Sequence, residues 1–95
     1  PPMKAYELLS DETKWCQHAE AITVNSIYVF PYDPRAVRWC LVGAVKRCYI
    51  GYDNCLERIT EAIPADERRE NVAEWNDAPE RTYADVVGML RRLEI

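Results

Sequence analysis

Ninety-five residues make one domain with one core, and the mix of 48% apolar and 29% charged residues excludes a chain that is disordered throughout. A formal net charge of −4 argues against broad binding to DNA or RNA, which depends on a basic face that neutralises phosphates. No apolar run approaches the ~20 residues of a membrane span, and the start lacks the apolar stretch of a secretory signal, so the expected compartment is the cytoplasm.

In chain order, Pro1 and Pro2 ahead of Met3 read as a cloning remnant, with the natural start expected at Met3. Met3 to Leu9 reads as a short helix. Ser10 to Thr13 is turn and cap chemistry, and Thr13 to Ala19 reads as a second short helical turn carrying Trp15 and Cys16 inward. From Ala21 to Phe30 the residues turn β-branched and aromatic around Asn25-Ser26. That predicts a short β-hairpin or extended excursion over 21–30, leaning on helices.

Pro31-Tyr32-Asp33-Pro34 stops the strand. Asp33 suits an N-cap and Pro34 the first helical position, so a central helix is expected from Pro34 to about Ile63. Val37, Leu41, Ala44, Cys48, Cys55, Ile59 and Ala62 form its inner stripe, and Gly51 and Asp53-Asn54 are where it would divide in two. Trp39, Val42, Tyr49 and Ile50 intrude on the polar side and call for a second layer or a partner. Asp66 is expected to cap a helix from Glu67 to Trp75, ended by Asn76-Asp77-Ala78-Pro79. Thr82-x-x-Asp85 resembles a capping box for a last helix, Tyr83 to Leu93, with Tyr83, Val86, Leu90 and Leu93 inward. The fold class is therefore mainly α: a single domain, 1–95, of four to five helices around the central one, with a short hairpin at its side.

The four cysteines give no metal signature. On a straight helix Cys40, Cys48 and Cys55 lie about 12 and 10 Å apart along the axis. Zinc holds sulfur at ~2.3 Å and a disulfide needs Cα atoms within ~7 Å, so these three cannot share either. Cys16, in Trp15-Cys16-Gln17-His18, could meet one of them, but there is no Cys-x-x-Cys anywhere. The reading is free, buried cysteines with no metal and no cofactor.

Three segments resemble a known group when taken together: Trp15-Cys16-Gln17, Asp33 to Arg47 (DPRAVRWCLVGAVKR) and Trp75 to Thr82 (WNDAPERT). In this order and spacing they resemble an uncharacterised family of small bacterial and phage proteins, a domain of unknown function. The resemblance runs from Tyr6 to Leu93 and implies no reaction, cofactor or ligand. Ala19 to Tyr32 reads as a variable insert within it.

Three functional readings follow, in order. The first is a non-enzymatic protein-interaction module, with a protein partner or self-association, using Tyr28, Phe30, Tyr32, Trp39 and Tyr49 as an aromatic surface. A phage- or mobile-element-type protein that binds and modulates a host protein belongs to this class. The second is a small-ligand or anion site centred on Arg35 and Arg38 at a helix start, where free N–H groups and a guanidinium fork would receive the charge. The third is a thiol enzyme with Cys16 as nucleophile and His18, the only histidine, as base. Each has a structural alternative: docking of the hairpin for the aromatics, a surface ion pair for the arginines, and a core thiol beside an exposed imidazole for Cys16-His18. Trp75-Asn76-Asp77 reads as a core tryptophan followed by a helix stop, or as a recognition spot.

Overall fold

The computed structural model describes residues 3–95, so the expectation on Pro1 and Pro2 lies outside the described residues. Among those residues the protein is mainly α, with five helices and one two-stranded antiparallel pair, the class the sequence predicts. Helix α1 is Ala5–Leu8, and a 3-10 turn spans Glu12–Lys14. Strand β1 (Ala21–Ile22) pairs with β2 (Arg38–Trp39), in register Ala21 to Trp39 and Ile22 to Arg38. Then follow α2 (Leu41–Cys48), α3 (Tyr52–Ala62), a 3-10 turn at Ala65–Glu67, α4 (Val72–Asp77) and α5 (Tyr83–Leu93).

Helix α2 occupies the middle. Leu41 to Val45 are all buried, and the helix packs on α1, α3 and α4, while α5 closes the core against α1 and α3. The apolar stripe read from the sequence is real where it involves Leu41, Ala44 and Ile59, each with no exposed surface. The rod itself starts later than predicted. Asp33 accepts from Arg35 N (2.8 Å, side chain) and from Ala36 N (3.0 Å, backbone), so its capping chemistry folds a turn over 33–36 instead of opening a helix. Arg38 and Trp39 are extended, and α2 starts only after Cys40. The joint between α2 and α3 is the expected break: Tyr49 is extended and Gly51 precedes α3.

Two further segments differ from expectation. The helical turn expected over Thr13 to Ala19 is a 3-10 turn over 12–14, followed by an irregular strap in which Trp15 forms a parallel bridge to Trp39 and 17–20 bend. The helix expected from Glu67 begins at Val72. Asn71 rather than Asp66 caps it, accepting from Glu74 N at 2.9 Å. The intervening polar run 68–71 has no apolar residue to hold a helix against the core. The capping box of α5 forms as read, with Thr82 N donating to Asp85 (3.0 Å) and Asp85 N to Thr82 (3.1 Å). The excursion over 21–30 does fold back, with Ile22 bridged to Tyr28, but the paired strand of β1 is β2, across the sheet from it.

The start and the end of the described chain meet. Ile95 is buried, and its carbonyl accepts from Ala5 N (2.6 Å) and from the Tyr49 hydroxyl. Trp39 is buried and Tyr49 half-buried, so two of the aromatics assigned to the polar side of the helix belong to this packing.

Of the three glycines, Gly43 in α2 has the closest neighbour, the backbone of the strap. A Cβ at Gly43 would lie 1.7 Å from the carbonyl oxygen of Glu20, the same oxygen that accepts from Cys40 N at 3.3 Å. Backbone occupies the space, so no rotamer relieves the clash. Gly88 in α5 is the opposite case, with open space around it. Gly43→Ala should therefore cost about 3 kcal/mol or prevent folding, through overpacking. Gly88→Ala should gain up to about 1 kcal/mol, the ordinary helix preference for alanine. Urea denaturation of the two variants beside the parent measures both; equal effects would remove the close approach from the account.

Candidate functional site

The segments singled out in the sequence converge on one buried side chain. Asn76, at the end of α4, has no exposed surface. Its Oδ1 accepts from Trp15 Nε1 (2.8 Å) and from Leu41 N (3.1 Å), the first N–H of α2. Its Nδ2 donates to Cys16 O (3.2 Å) and Asp77 Oδ1 (2.9 Å). All four positions of the amide are used, which is what its burial requires. Gln17 Nε2 adds bonds to Asn76 O (2.8 Å) and Ala78 O (3.0 Å), and His18 N donates to Asp77 Oδ1 (2.8 Å). Trp75 fills the core under the guanidinium of Arg81, 3.9 Å from the ring centre, whose Nε donates to Trp75 O at 2.8 Å. Trp75-Asn76-Asp77 is thus structural. The sequence reading had it end a helix, but not reach back 60 residues to hold the Trp15-Cys16-Gln17 strap.

Cys16 lies in this network without a base. Its Sγ donates to Ala19 O (3.5 Å), and burial pushes its pKa from the ordinary value of 9.0 to about 11. The His18 side chain is 70% exposed, with Nδ1 at 3.9 Å from Asp77 Oδ2, so the imidazole turns to the carboxylate. A thiol held protonated, with no imidazole bonded to it, lacks the activation that nucleophilic catalysis requires. Cys40 and Cys48 are likewise pushed up by burial, to about 12 and about 11. All four thiols are free. Among the described residues no three His, Cys, Asp or Glu are grouped to hold a metal ion.

The arginines do not stand at a helix N-terminus, because α2 begins at Leu41. Arg35 is exposed in the turn and forks onto Asp33, Nε to Oδ1 at 3.1 Å and Nη2 to Oδ2 at 3.0 Å. That fork holds the Asp33 carboxyl below the usual range. Arg38 is exposed on β2, opposite Ile22. The two are not brought together on one ligand-sized site.

The aromatics do form a surface, in part. Tyr28, Phe30 and Tyr32 are 72%, 70% and 67% exposed, and the Phe30 and Tyr32 rings stack with centres 5.8 Å apart. They line a cleft of about 810 Å³ whose far wall is Lys46 and Tyr52, from α2 and α3. Two ion pairs cross its rim: Asp33 with Arg35, and Glu20 with Lys46 at 3.0 Å. Trp39 is not in this surface. Its Nε1 donates to Pro31 O (2.8 Å) from below, while Arg47 covers its ring and donates to the same oxygen at 3.3 Å. Tyr49 lies away from it, on the Ile95 carbonyl. Tyr52 is the contributor that sequence reading missed; its place at the first turn of a helix that starts after the 49–51 break was the only available sign.

Three measurements check this arrangement. Asn76→Ala leaves the Trp15 and Leu41 N–H groups and the Cys16 carbonyl without partners, and should cost about 3–5 kcal/mol in urea denaturation. The thiols set an alkaline limit. Their folded pKa values exceed the unfolded 9.0, so above pH 9 the folded state binds more protons than the unfolded one, and stability falls as pH rises. The urea midpoint should be insensitive to these groups below pH 9 and decline toward pH 11–12. Alkylation of native Cys16 at pH 8 should run about a hundredfold slower than that of a free thiol.

Among the described residues no helix is long and apolar enough to cross a membrane. Comparison with curated proteins and with solved structures found no match in either. Against protein families the result is positive: residues 3–94, nearly the whole chain, match a family model, and the chain belongs to that family of unknown function, DUF6197.

Proposed function

We propose that this protein is a non-enzymatic interaction module whose docking face is the surface around Tyr28, Phe30 and Tyr32. One observation carries the reading. Of the eight large apolar side chains exposed among the described residues, six come from a single stretch: Val24, Ile27, Tyr28, Phe30, Tyr32 and Val37. Apolar residues scattered singly over a surface need no explanation, but a cluster of this kind does. Covering a phenylalanine or tyrosine is worth roughly 1.5–3 kcal/mol. A partner that covers the stack therefore gains binding energy that the isolated fold forgoes.

The cleft behind the stack supports the same reading. Its acids and cations are already paired with each other, which favours a partner of mixed chemistry over a bare anion. Exposed ion pairs of this sort contribute little to stability and can be exchanged for a partner's groups at small cost. The anion-binding reading has less support, because Arg35 lies in a turn committed to Asp33 and Arg38 stands on β2. The proposal includes a cytoplasmic setting, supported by four unbridged thiols.

The test is site-specific photo-crosslinking in the native host. Tyr32→benzoylphenylalanine should give a discrete adduct, and Phe30→Ser in the same chain should abolish it while leaving the melting temperature unchanged. Arg92→benzoylphenylalanine, on the exposed side of α5, should give none. Equal adducts from both positions, or adducts indifferent to Phe30→Ser, would remove the docking face.

A further inference from the structure

The backbone beneath the aromatic stack is an open sheet edge. Ile22 and Tyr28 form an antiparallel bridge, flanked by Thr23 N donating to Ile27 O (2.9 Å) and Val29 N donating to Ala21 O (3.1 Å). Those bonds direct the groups of Ile27 and Val29 toward β1. On an extended chain successive residues alternate, so the N–H and C=O of Tyr28 and the N–H of Phe30 face the opposite edge. Among the described residues none of these three groups is hydrogen-bonded within the chain. The Phe30 carbonyl is the exception, taken by Asp33 N at 3.0 Å in the following turn. Pro31, which has no N–H, ends the edge.

A donor, an acceptor and a second donor two residues on are the set that an added strand uses. The flanking side chains suit such a strand. Tyr28 and Phe30 border the edge, and the cleft they line receives alternate side chains of whatever lies along it. The charge around it is also directional. Of the four cations in 34–52, Arg38 stands on β2, on the other side of β1 from this edge, and three lie near the cleft. Arg35 and Lys46 are matched by Asp33 and Glu20 at the rim. Arg47, exposed and bonded to Pro31 O where the edge ends, is matched by no acid among the described residues.

We propose that the edge at Tyr28–Phe30 accepts an extended, acidic segment of a partner protein as an added β-strand, with apolar side chains of that segment seated in the cleft. This rests on the interaction reading above and goes further, since it names main-chain pairing as the mode and an acidic strand as the ligand.

The probe is an acetylated, amidated peptide alternating valine and glutamate, compared with its lysine counterpart and with a copy N-methylated at alternate amides. N-methylation blocks strand pairing and leaves the side chains in place. The glutamate peptide should bind about tenfold tighter than the N-methylated copy, the difference one or two strand hydrogen bonds make, and several-fold tighter than the lysine peptide, whose charge Arg47 repels. Its binding should slow hydrogen exchange at the Tyr28 and Phe30 amides and weaken with salt. An N-methylated or lysine peptide that binds equally well overturns the inference, as does no binding by any peptide. In the first case, binding that Phe30→Ser with Tyr32→Ser abolishes leaves the docking face standing, whereas binding indifferent to both removes that reading as well. If light scattering gives a dimer with those two amides protected before peptide is added, the occupant is a second copy of the chain and the partner strand is overturned.

Discussion

A single carboxamide sets how the two halves of this chain meet. Asn76 is reached from three directions: by the indole of Trp15, by the first amide of α2, and through its own N–H groups by the strap carbonyl of Cys16 and the carboxylate of Asp77. No other residue type supplies two acceptor and two donor positions in that plane at that size, apart from the longer glutamine. Once the strap lies against α4, Glu20 is carried over α2, where its carbonyl takes Cys40 N and presses on Gly43. The small sheet follows from the same placement, because β1 continues from the strap and meets β2 just before α2 begins. Fixing one amide thus orders the entry of the central helix, the strap and the sheet together. A half-satisfied version of the same network would cost more than an apolar core.

Much of the fold was legible in local signals that have only one structural use. The capping box at Thr82-Asp85 and the period of Val86 and Leu90 marked α5 to the residue, since neither signal makes sense in a strand or turn. Asp33-Pro34 misled because its chemistry has two uses. An aspartate followed by proline opens a helix or closes an Asx turn, and the choice depends on Trp39, which is pulled into an extended row with Ala21 and Trp15. That row is made of residues far apart in sequence, so no window along the chain contains it. The false start at Glu67 has a similar origin: acids near a helix start are permissive, and only the buried Val72 decides where the helix begins.

The candidate site was legible in residue type and not in membership. Five aromatics near a hairpin suggested a surface, but exposure is a tertiary property. Trp39 and Tyr49 satisfy their polar atoms on the carbonyls of Pro31 and Ile95, which commits them inward. Tyr28, Phe30 and Tyr32 have no such anchor. The same accounting explains the arginines: the premise of a helix N-terminus failed when the helix began six residues after Arg35, and the guanidinium took its nearest carboxylate instead.

The distribution of roles along the chain follows. Within the three segments that carry the family resemblance, Trp15, Gln17, Gly43, Trp75 and Asn76 hold the fold together. Most of the exposed apolar side chains lie in 19–32, the stretch whose sequence reads as a variable insert. There Thr23 fixes the turn through its side chain, accepting from Asn25 N and Ile27 N, and Ser26 takes a left-handed φ of 62°. Those local bonds hold the excursion without help from the aromatics beyond them. Substituting Tyr28, Phe30 or Tyr32 should therefore alter what the surface receives while the amide network keeps the scaffold unchanged. On the proposed reading, stability and recognition are carried by different residues, and the division falls where the strap leaves Asn76 and the chain turns outward.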